Sequence, residues 1–472
     1  MTVLSIPAEL TSACTEVTPA GPADCIAGTQ ARYVATPAST AEAATLLRAA
    51  AGLGLTVVAR GRGSRLDWTP APASCDLIID TGRLDKILEH TAGDLVVSVQ
   101  AGVRLDNLAS MLAAAGQRLA LDPPSPVTGN SGGTVGGLIA TGAAGPLRYR
   151  YGAPRDLLIG ITVIRADGTV AKAGGKVVKN VAGYDIGKLF AGSYGTLGLI
   201  TEATFRLHPL PASSAWLTLD CPDPATAASA VHTIADSPVT PSAIELAWPS
   251  AASPISVSAL LEGDEPSVAG RADRVGQLLQ RAVPGQSPVH TKRTGERPAH
   301  RTPAGSGAEP SSYGSPADRA GADAGAADEA FRVLRPPSSG RERPGTLLRV
   351  AFWAGKLVEV LSRIRGAAET AGLDPAIAGT AAAGVLEVVI GEEAAAGAVA
   401  GFVADLRASL GALSTGSVAP STASAVVLHA PPAVRDAVDM WGPVQSLELM
   451  RAVKKQFDPE NRMAPGRLPG GI

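Results

Sequence analysis

Two periods of apolar residues alternate along the chain as far as Pro211, one matching helices and the other strands. After Ser39-Thr40-Ala41-Glu42, a capping box, apolar positions recur at helical spacing through Leu46 and Leu47 until Gly52 and Gly54 break the pattern. Leu55 to Ala59 then reads as a buried strand that runs straight into Arg60-Gly61-Arg62-Gly63-Ser64. Cys75 to Asp80 and Leu95 to Gly102 read as further strands, and Leu105, Leu108, Met111 and Leu112 line one face of a helix closed by Gly116. Asp167-Gly168 between two apolar runs predicts a hairpin. From Gly198 to Leu207 apolar and polar residues alternate, as in a half-buried strand, and Pro209 and Pro211 mark a boundary.

Beyond Ala212 the helical and strand segments lack glycine clusters, which predicts a second domain over 212–283 and 346–440, with strands at Thr346 to Trp353 and Gly384 to Gly391. Its two parts are separated by 284–345, rich in Pro, Gly, Ser, Ala and alternating charge. So few large apolar side chains cannot offset the entropy of ordering, and a disordered insertion is expected there. In the last segment, 441–472, Leu447, Met450, Val453 and Phe457 recur at helical spacing, and Asp458-Pro459 ends the helix.

Composition narrows the function. A chain of 472 residues exceeds one ordinary core, and a net charge of −2 gives no pull toward nucleic acid or an anionic membrane. A small neutral or anionic ligand is the partner this balance suits. The N-terminal segment, 1–26, opens on MTVLSIPAEL, which carries neither the basic nor the apolar region of a secretory signal and is interrupted by Pro7 and Glu9, so a cytoplasmic protein is expected, membrane-associated only through partners. Cys14, Cys25, Cys75 and Cys221 show no CxxC spacing, and the histidines never pair as HxH, HxxH or HExxH; spacing therefore indicates neither a disulfide framework nor a metal site. The uncharged run between Pro123 and Leu147 is too rich in Gly, Pro, Ser and Thr to predict a transmembrane helix.

That run, with the arginine-glycine loop, raises the question of phosphate binding. No GxxxxGK[ST] loop occurs, since Gly175-Lys176 precedes Val177 and Gly187-Lys188 precedes Leu189. The GxGxxG fingerprint fails at Leu66, and the second cluster has the wrong spacing. Small residues whose successive amides turn inward form a third kind of anion site, and both clusters suit it. A ligand spanning two such loops reads as a dinucleotide; tight turns are the competing use of the glycines.

Taken in order, ARGRGS, DPPSP, GGTVGGLIATGAAG, RYRYGAPRDLLIG and KNVAGYDIGKLFAGSYGTLGLITEATFRLHP resemble the PCMH-type, or vanillyl-alcohol-oxidase-like, FAD-binding domain over 27–211. LMRAVKKQFDPENRMAPGRL adds a match near the end, and the likeness is strongest to the subfamily of FAD-binding E subunits of bacterial glycolate oxidases. The resemblance implies an α+β fold: a two-subdomain FAD-binding domain, a second α+β domain, and a C-terminal helix returning to the first. It further implies that Arg60, Gly61, Arg62, Gly63, Ser64, Thr134, Gly136, Gly137, Thr141 and Gly142 grip the FAD pyrophosphate and ribose. Pro123, Pro124, Gly129, Gly183 and Tyr184 would lie near the isoalloxazine, with Gly198 and Ile200 touching it through backbone.

Three departures qualify the likeness. Relatives with covalent flavin carry histidine in the first loop where Ser64-Arg65-Leu66 stands, so noncovalent FAD is expected; Gly142 replaces a common Asn. Relatives that oxidise 2-hydroxy acids unaided carry a histidine-rich metal and substrate motif, whereas His232 and His429 are solitary, so no metal is assigned. The resemblance thus implies an FAD-binding subunit of a 2-hydroxy acid oxidoreductase of the glycolate or lactate type, working with flavoprotein and iron-sulfur partner subunits. A self-sufficient FAD-dependent oxidase of a hydroxy acid, sugar or alcohol, and a noncatalytic assembly subunit, remain alternatives. Such chemistry needs a proton acceptor and a cation for the carboxylate. Arg148, Arg150 and Arg155 are candidates for the cation, Lys176, Lys179 and Tyr184 for contacts to the flavin, and His208 is read as structural; no residue is assigned as catalytic.

Overall fold

The computed structural model describes residues 5–123, 133–175, 186–283, 288–294, 345–413 and 423–472. Most of the expected insertion over 284–345 lies outside them.

The first sheet grows from the apolar runs that precede the second glycine cluster. Tyr33–Ala35, Leu77–Asp80 and Val57–Arg60 pair in parallel, and Val17–Pro19 adds an antiparallel edge. Parallel neighbours need a crossover, which the helix Thr40–Gly52 supplies, burying Leu46 and Leu47 in one cluster with Leu77 and Ile79. Ser39 caps this helix by accepting from the Glu42 N–H at 3.1 Å. Glu42 does not close the box on Ser39; it accepts from the Thr15 and Ala38 amides, both at 2.7 Å, and these bonds draw its pKa down to about 2.

The second sheet is antiparallel, in the order Val170–Gly174, Leu158–Ile164, Leu199–Arg206, Val96–Gln100, Ile87–Thr91. Its hairpin turns at Asp167-Gly168, as the sequence predicts. Leu105–Ala114 and Val135–Thr141 cover it, with Leu108, Leu112, Val135 and Ile139 buried among Val97, Val99 and Phe205. The second of these helices corrects the reading of the glycine cluster as loop. Thr134 caps it, accepting from the Gly137 N–H at 3.3 Å, and the buried stripe Val135, Leu138, Ile139 outweighs the roughly 1 kcal/mol that each interior glycine costs.

The second domain is one eight-stranded sheet: Val289–Thr294, Ser213–Cys221, Ile255–Gly263, Ala243–Trp248, Ala376–Gly379, Val385–Ile390, Thr346–Phe352, Ala423–His429. The outermost strand falls inside the segment expected to be disordered. Its backbone pairs from Ser213 to Thr218, so order extends to Thr294; a single short run with two adjacent cations gives little apolar signal in sequence. Pro224–Ala235, Glu265–Ala282, Leu357–Ala371 and Ala396–Gly411 cover one face, packing on Leu217, Leu246, Val257, Leu348 and Val388. Because side chains alternate along a strand, Glu245, Arg349 and Glu387, each flanked by residues of that core, point the other way, toward the first domain. On that side Leu147 packs with Ala243 and Leu260, and Trp68 with Leu138 and Leu428.

The C-terminal helix Leu447–Phe457 returns to the first domain, where Phe457 meets Phe190 edge-on at 5.6 Å. The buried Lys454 ammonium donates to Asp458 Oδ2 and the Thr196 carbonyl, both at 2.7 Å, and to the Met463 carbonyl at 2.8 Å. The chain then rejoins the first sheet: Val57 N–H donates to the Arg462 carbonyl and Ala464 N–H to the Val57 carbonyl, each at 2.8 Å. This is the α+β architecture with a returning C-terminal helix that the resemblance implies. No helix among the described residues is long and apolar enough to cross a membrane.

Candidate functional site

Where the two sheets of the first domain meet, a cavity opens. Arg60, Gly61, Arg62, Gly63, Ser64, Thr134, Gly136, Gly137, Thr141, Gly198 and Ile200 all line it, so the structure brings most of the expected residues together. Gly142 does not join them: it is the left-handed cap of its helix, at φ +61°, packed near Gly192. Pro123 lines a neighbouring cavity with Leu105, Leu121 and Leu138, and Arg65 borders both spaces. Pro124, Gly129, Gly183, Tyr184, Lys176 and Lys179 lie outside the described residues.

Two glycines in the walls are fixed by the protein's own packing. A Cβ on Gly61 would lie 2.3 Å from Thr134 Oγ1, so the two loops touch directly at this point. Gly136 donates to the Ala101 carbonyl at 2.7 Å, and a Cβ there would sit 2.8 Å from the Ala101 methyl. Its lack of a side chain serves the strand end beneath it, a different reason from the close ligand approach that its sequence context suggests.

The charges divide into two kinds. Arg60 is neutralised in place, donating from Nε to Asp80 at 2.9 Å and from NH1 to Asp24 at 2.7 Å. Burial would raise the Asp24 carboxyl, and the bond and charge of Arg60 together with the Gly21 amide more than offset this, holding it low. Arg60 therefore anchors its loop. Arg467, from the C-terminal segment, enters the cavity wall only 3% exposed. Its guanidinium donates to the Leu66 and Trp68 carbonyls at 2.7 and 2.6 Å and to Thr69 Oγ1 at 3.0 Å, all neutral acceptors. Burial pushes its pKa down to about 10. Asp67, the nearest carboxylate acting on it, already pairs with His429 at 3.0 Å. Arg65, also buried, lies 5.3 Å from the Trp68 ring centre, and burial lowers its pKa too.

Sequence reasoning missed Arg467, Arg65, Tyr194, Thr81 and Ala101 as cavity residues. Arg467 falls within the C-terminal motif, which signalled its importance without assigning it a role. Tyr194 takes φ +51°, a conformation that no local pattern announces. Of the other candidates, His208 lies outside the cavity, its ring 4.7 Å from that of Tyr151. Arg150 and Arg155 are exposed, Arg150 donating to the Thr240 carbonyl at 3.0 Å, whereas Arg148 is half-buried at the interdomain boundary. No cluster of three or more His, Cys, Asp or Glu is placed to hold a metal among the described residues.

A wall of glycine backbone with the buried Arg467 guanidinium, whose hydrogen bonds go to neutral acceptors, fits a long anionic ligand. FAD, with a dinucleotide diphosphate, meets that requirement, and these residues are suited to hold it.

Known proteins place the same regions. Residues 31–174 match the FAD binding domain and 438–468 the C-terminal domain of FAD linked oxidases. An uncharacterized FAD-linked oxidoreductase of Mycobacterium tuberculosis is 37% identical over 177 residues, 38% of this chain and 38% of that protein. Glycolate oxidase subunit GlcE of Escherichia coli is 38% identical over 128 residues, 27% of this chain and 36% of that protein. A D-lactate dehydrogenase of Archaeoglobus fulgidus is 35% identical over 176 residues, 37% of this chain and 38% of that protein. The match thus spans under two fifths of the length of each of these three relatives. Among solved structures, a chitooligosaccharide oxidase superposes with TM-score 0.61 at 15% identity, covering 96% of this chain and 97% of that one, which establishes likeness of fold. The chain carries the FAD-binding domain and the C-terminal domain of FAD-linked oxidoreductases on a PCMH-type fold.

Proposed function

We propose that the chain holds FAD noncovalently in the cavity between its arginine-glycine loop and the Thr134-capped helix, and oxidises a small 2-hydroxy acid of the glycolate or lactate type as one subunit of a complex. The observation that carries this is the pair of buried guanidinium groups, Arg65 and Arg467, in a cavity walled by glycine backbone. Noncovalent attachment is supported by Ser64 in the first loop and by the lack of His or Cys among the described lining residues. The hydroxy acid is supported by the names of two relatives, glycolate oxidase subunit GlcE and D-lactate dehydrogenase.

When bound, FAD supplies the hydride acceptor and the route for electrons to a partner. Around it, Thr134 and Gly61 fix the distance between the two gripping loops, and Arg60 stays clamped to Asp24 and Asp80 so that its loop keeps its shape. Arg467 brings positive charge from the far end of the chain and ties the Leu66 to Thr69 segment in place. Leu199 and Ile200, half of a buried strand end, exclude water from the opposite wall.

Acid precipitation of purified protein tests both parts. Release of about one FAD per chain into the supernatant is expected; flavin retained in the pellet overturns noncovalent binding, and colourless protein overturns the assignment of the site. Anaerobic glycolate or D-lactate should bleach the flavin, with turnover requiring flavoprotein and iron-sulfur partner subunits. Multiple turnover by the isolated chain with oxygen would establish a self-sufficient oxidase instead.

A further inference from the structure

The face of the second domain's sheet that meets the FAD-binding domain carries partly buried charge. Arg349 and Glu387 stand opposite each other on neighbouring strands and pair at 3.3 Å, while Arg349 Nε is buried with no hydrogen-bond partner among the described residues. Facing them from the FAD-binding domain is Arg148, on the short helix Arg148–Tyr151 that packs against the strand Ala243–Trp248. Arg148 is half-buried and its side chain makes no hydrogen bond or ion pair among the described residues, yet it feels the charges of Arg349, Glu387 and Glu245.

Arg148 and Arg349 act on this space together with the carboxylates of Glu387 and Asp122, and Asp122 already accepts from the Leu147 amide at 3.1 Å. Asp156, which also acts on Arg148, is exposed and accepts from the Ala153 amide at 2.8 Å. Glu245, buried beside them, is held mostly in its neutral form at neutral pH, because burial raises its pKa to about 8. An unpartnered guanidinium beside a second with an idle donor is an incomplete site: removed from water, both call for an anion with two acceptor oxygens. The group adjoins the cofactor cavity, since Arg65 and Tyr194 line that cavity and both interact with Arg349.

We infer that Arg148 and Arg349 form a carboxylate clamp between the two domains, which takes the acid group of the substrate. This rests on the reading that the bound FAD oxidises a 2-hydroxy acid. The clamp selects Arg148 from the three neighbouring arginines, because Arg150 and Arg155 are exposed. It also sets a substrate class: small acids with a free carboxylate, in preference to neutral sugars or alcohols.

Oxalate, a carboxylate that a flavin cannot oxidise by hydride transfer, is the probe. Its binding to the FAD-loaded protein is measured by calorimetry for wild type, Arg148→Gln, Arg349→Gln, the double variant Arg349→Gln/Glu387→Gln, and Arg150→Gln as control. Loss of one charge-assisted contact is expected to weaken binding roughly ten- to hundredfold in the first three variants, with FAD content unchanged. Arg150→Gln should bind within about twofold of wild type, since its charge is exposed. The double variant keeps the interface neutral should Arg349→Gln alone fail to fold. Equal oxalate affinity in wild type, Arg148→Gln and the double variant overturns the clamp, as does wild type that binds no oxalate, even where glycolate or D-lactate bleaches the flavin. Oxalate binding lost in the variants while no 2-hydroxy acid reduces the flavin leaves the clamp standing and overturns the oxidation reading.

Discussion

Glu245 shows how strongly a single position departs from its surroundings. Its strand neighbours Ile244 and Leu246 are fully buried, its own side chain has Oε1 without a hydrogen-bond partner among the described residues, and desolvation raises its pKa from 4.5 to about 8. The folded protein therefore binds a proton that the unfolded chain releases between about pH 4.5 and about pH 8. A raised folded-state pKa contributes stability that is complete below the unfolded value and is lost as pH rises toward the folded one, with a slope of up to about 1.4 kcal/mol per pH unit. Glu245→Gln keeps the neutral shape and removes the titration. Urea unfolding at pH 5 and pH 8 should show the variant gaining on wild type as pH rises, with the gap levelling off above about 8. Parallel stability curves at the two pH values would mean that Glu245 is ionised in the fold.

At the scale of elements, the C-terminal helix is held by one buried cation. Lys454 is 5% exposed and Asp458 1%, and Asp458 also accepts from the Arg462 and Met463 amides at 3.0 and 2.6 Å. Burial pulls the Lys454 pKa below its ordinary value, against the pull of Asp458. Lys454→Met should cost about 3 kcal/mol, the low end for breaking a buried pair, because the two amides still satisfy the carboxylate. Since Arg467 follows in the same segment, FAD retention on a desalting column should fall with it; unchanged melting temperature and retention would detach the helix from the cofactor site. The periodicity of Leu447, Met450, Val453 and Phe457 made this helix legible in sequence, whereas nothing local marked Lys454 as its anchor. The same contrast runs through the fold. Strands with clear alternation and the Ser39-capped helix were readable, because the signal is local. The helix Val135–Thr141 was hidden by its glycines, and Val289–Thr294 by its charge. In the site, glycine and threonine positions were readable from their spacing, while Arg467 and Tyr194 reach the cavity only through long-range packing and an unusual backbone angle.

The whole molecule works only if its two domains keep their places, because the cofactor cavity belongs to one and half of the proposed clamp to the other. Arg118, on the FAD-binding domain, grips Glu262 of the second domain with both terminal nitrogens, at 2.6 and 2.7 Å, and Tyr151 donates to the same carboxylate at 3.3 Å. The pair is largely buried, with side chains 18% and 8% exposed, and Arg118 also lies 5.2 Å from the Tyr151 ring centre. A bidentate pair fixes direction as well as distance, so it sets the register of the two domains more firmly than the apolar patches at Leu147 and Trp68 can. Its net contribution to stability is a separate matter, because removing both charges from water offsets much of their attraction. Glu262→Gln leaves Arg118 buried without a counter-charge, and a loss of about 3–5 kcal/mol is expected in chemical unfolding of the FAD-loaded protein. The double variant Arg118→Met/Glu262→Met removes both charges and should recover most of that loss. If the pair is the interdomain gauge, the recovered protein will still bind oxalate more weakly than wild type, because stability returns and register does not. Full recovery of both properties would assign the register to the apolar contacts instead.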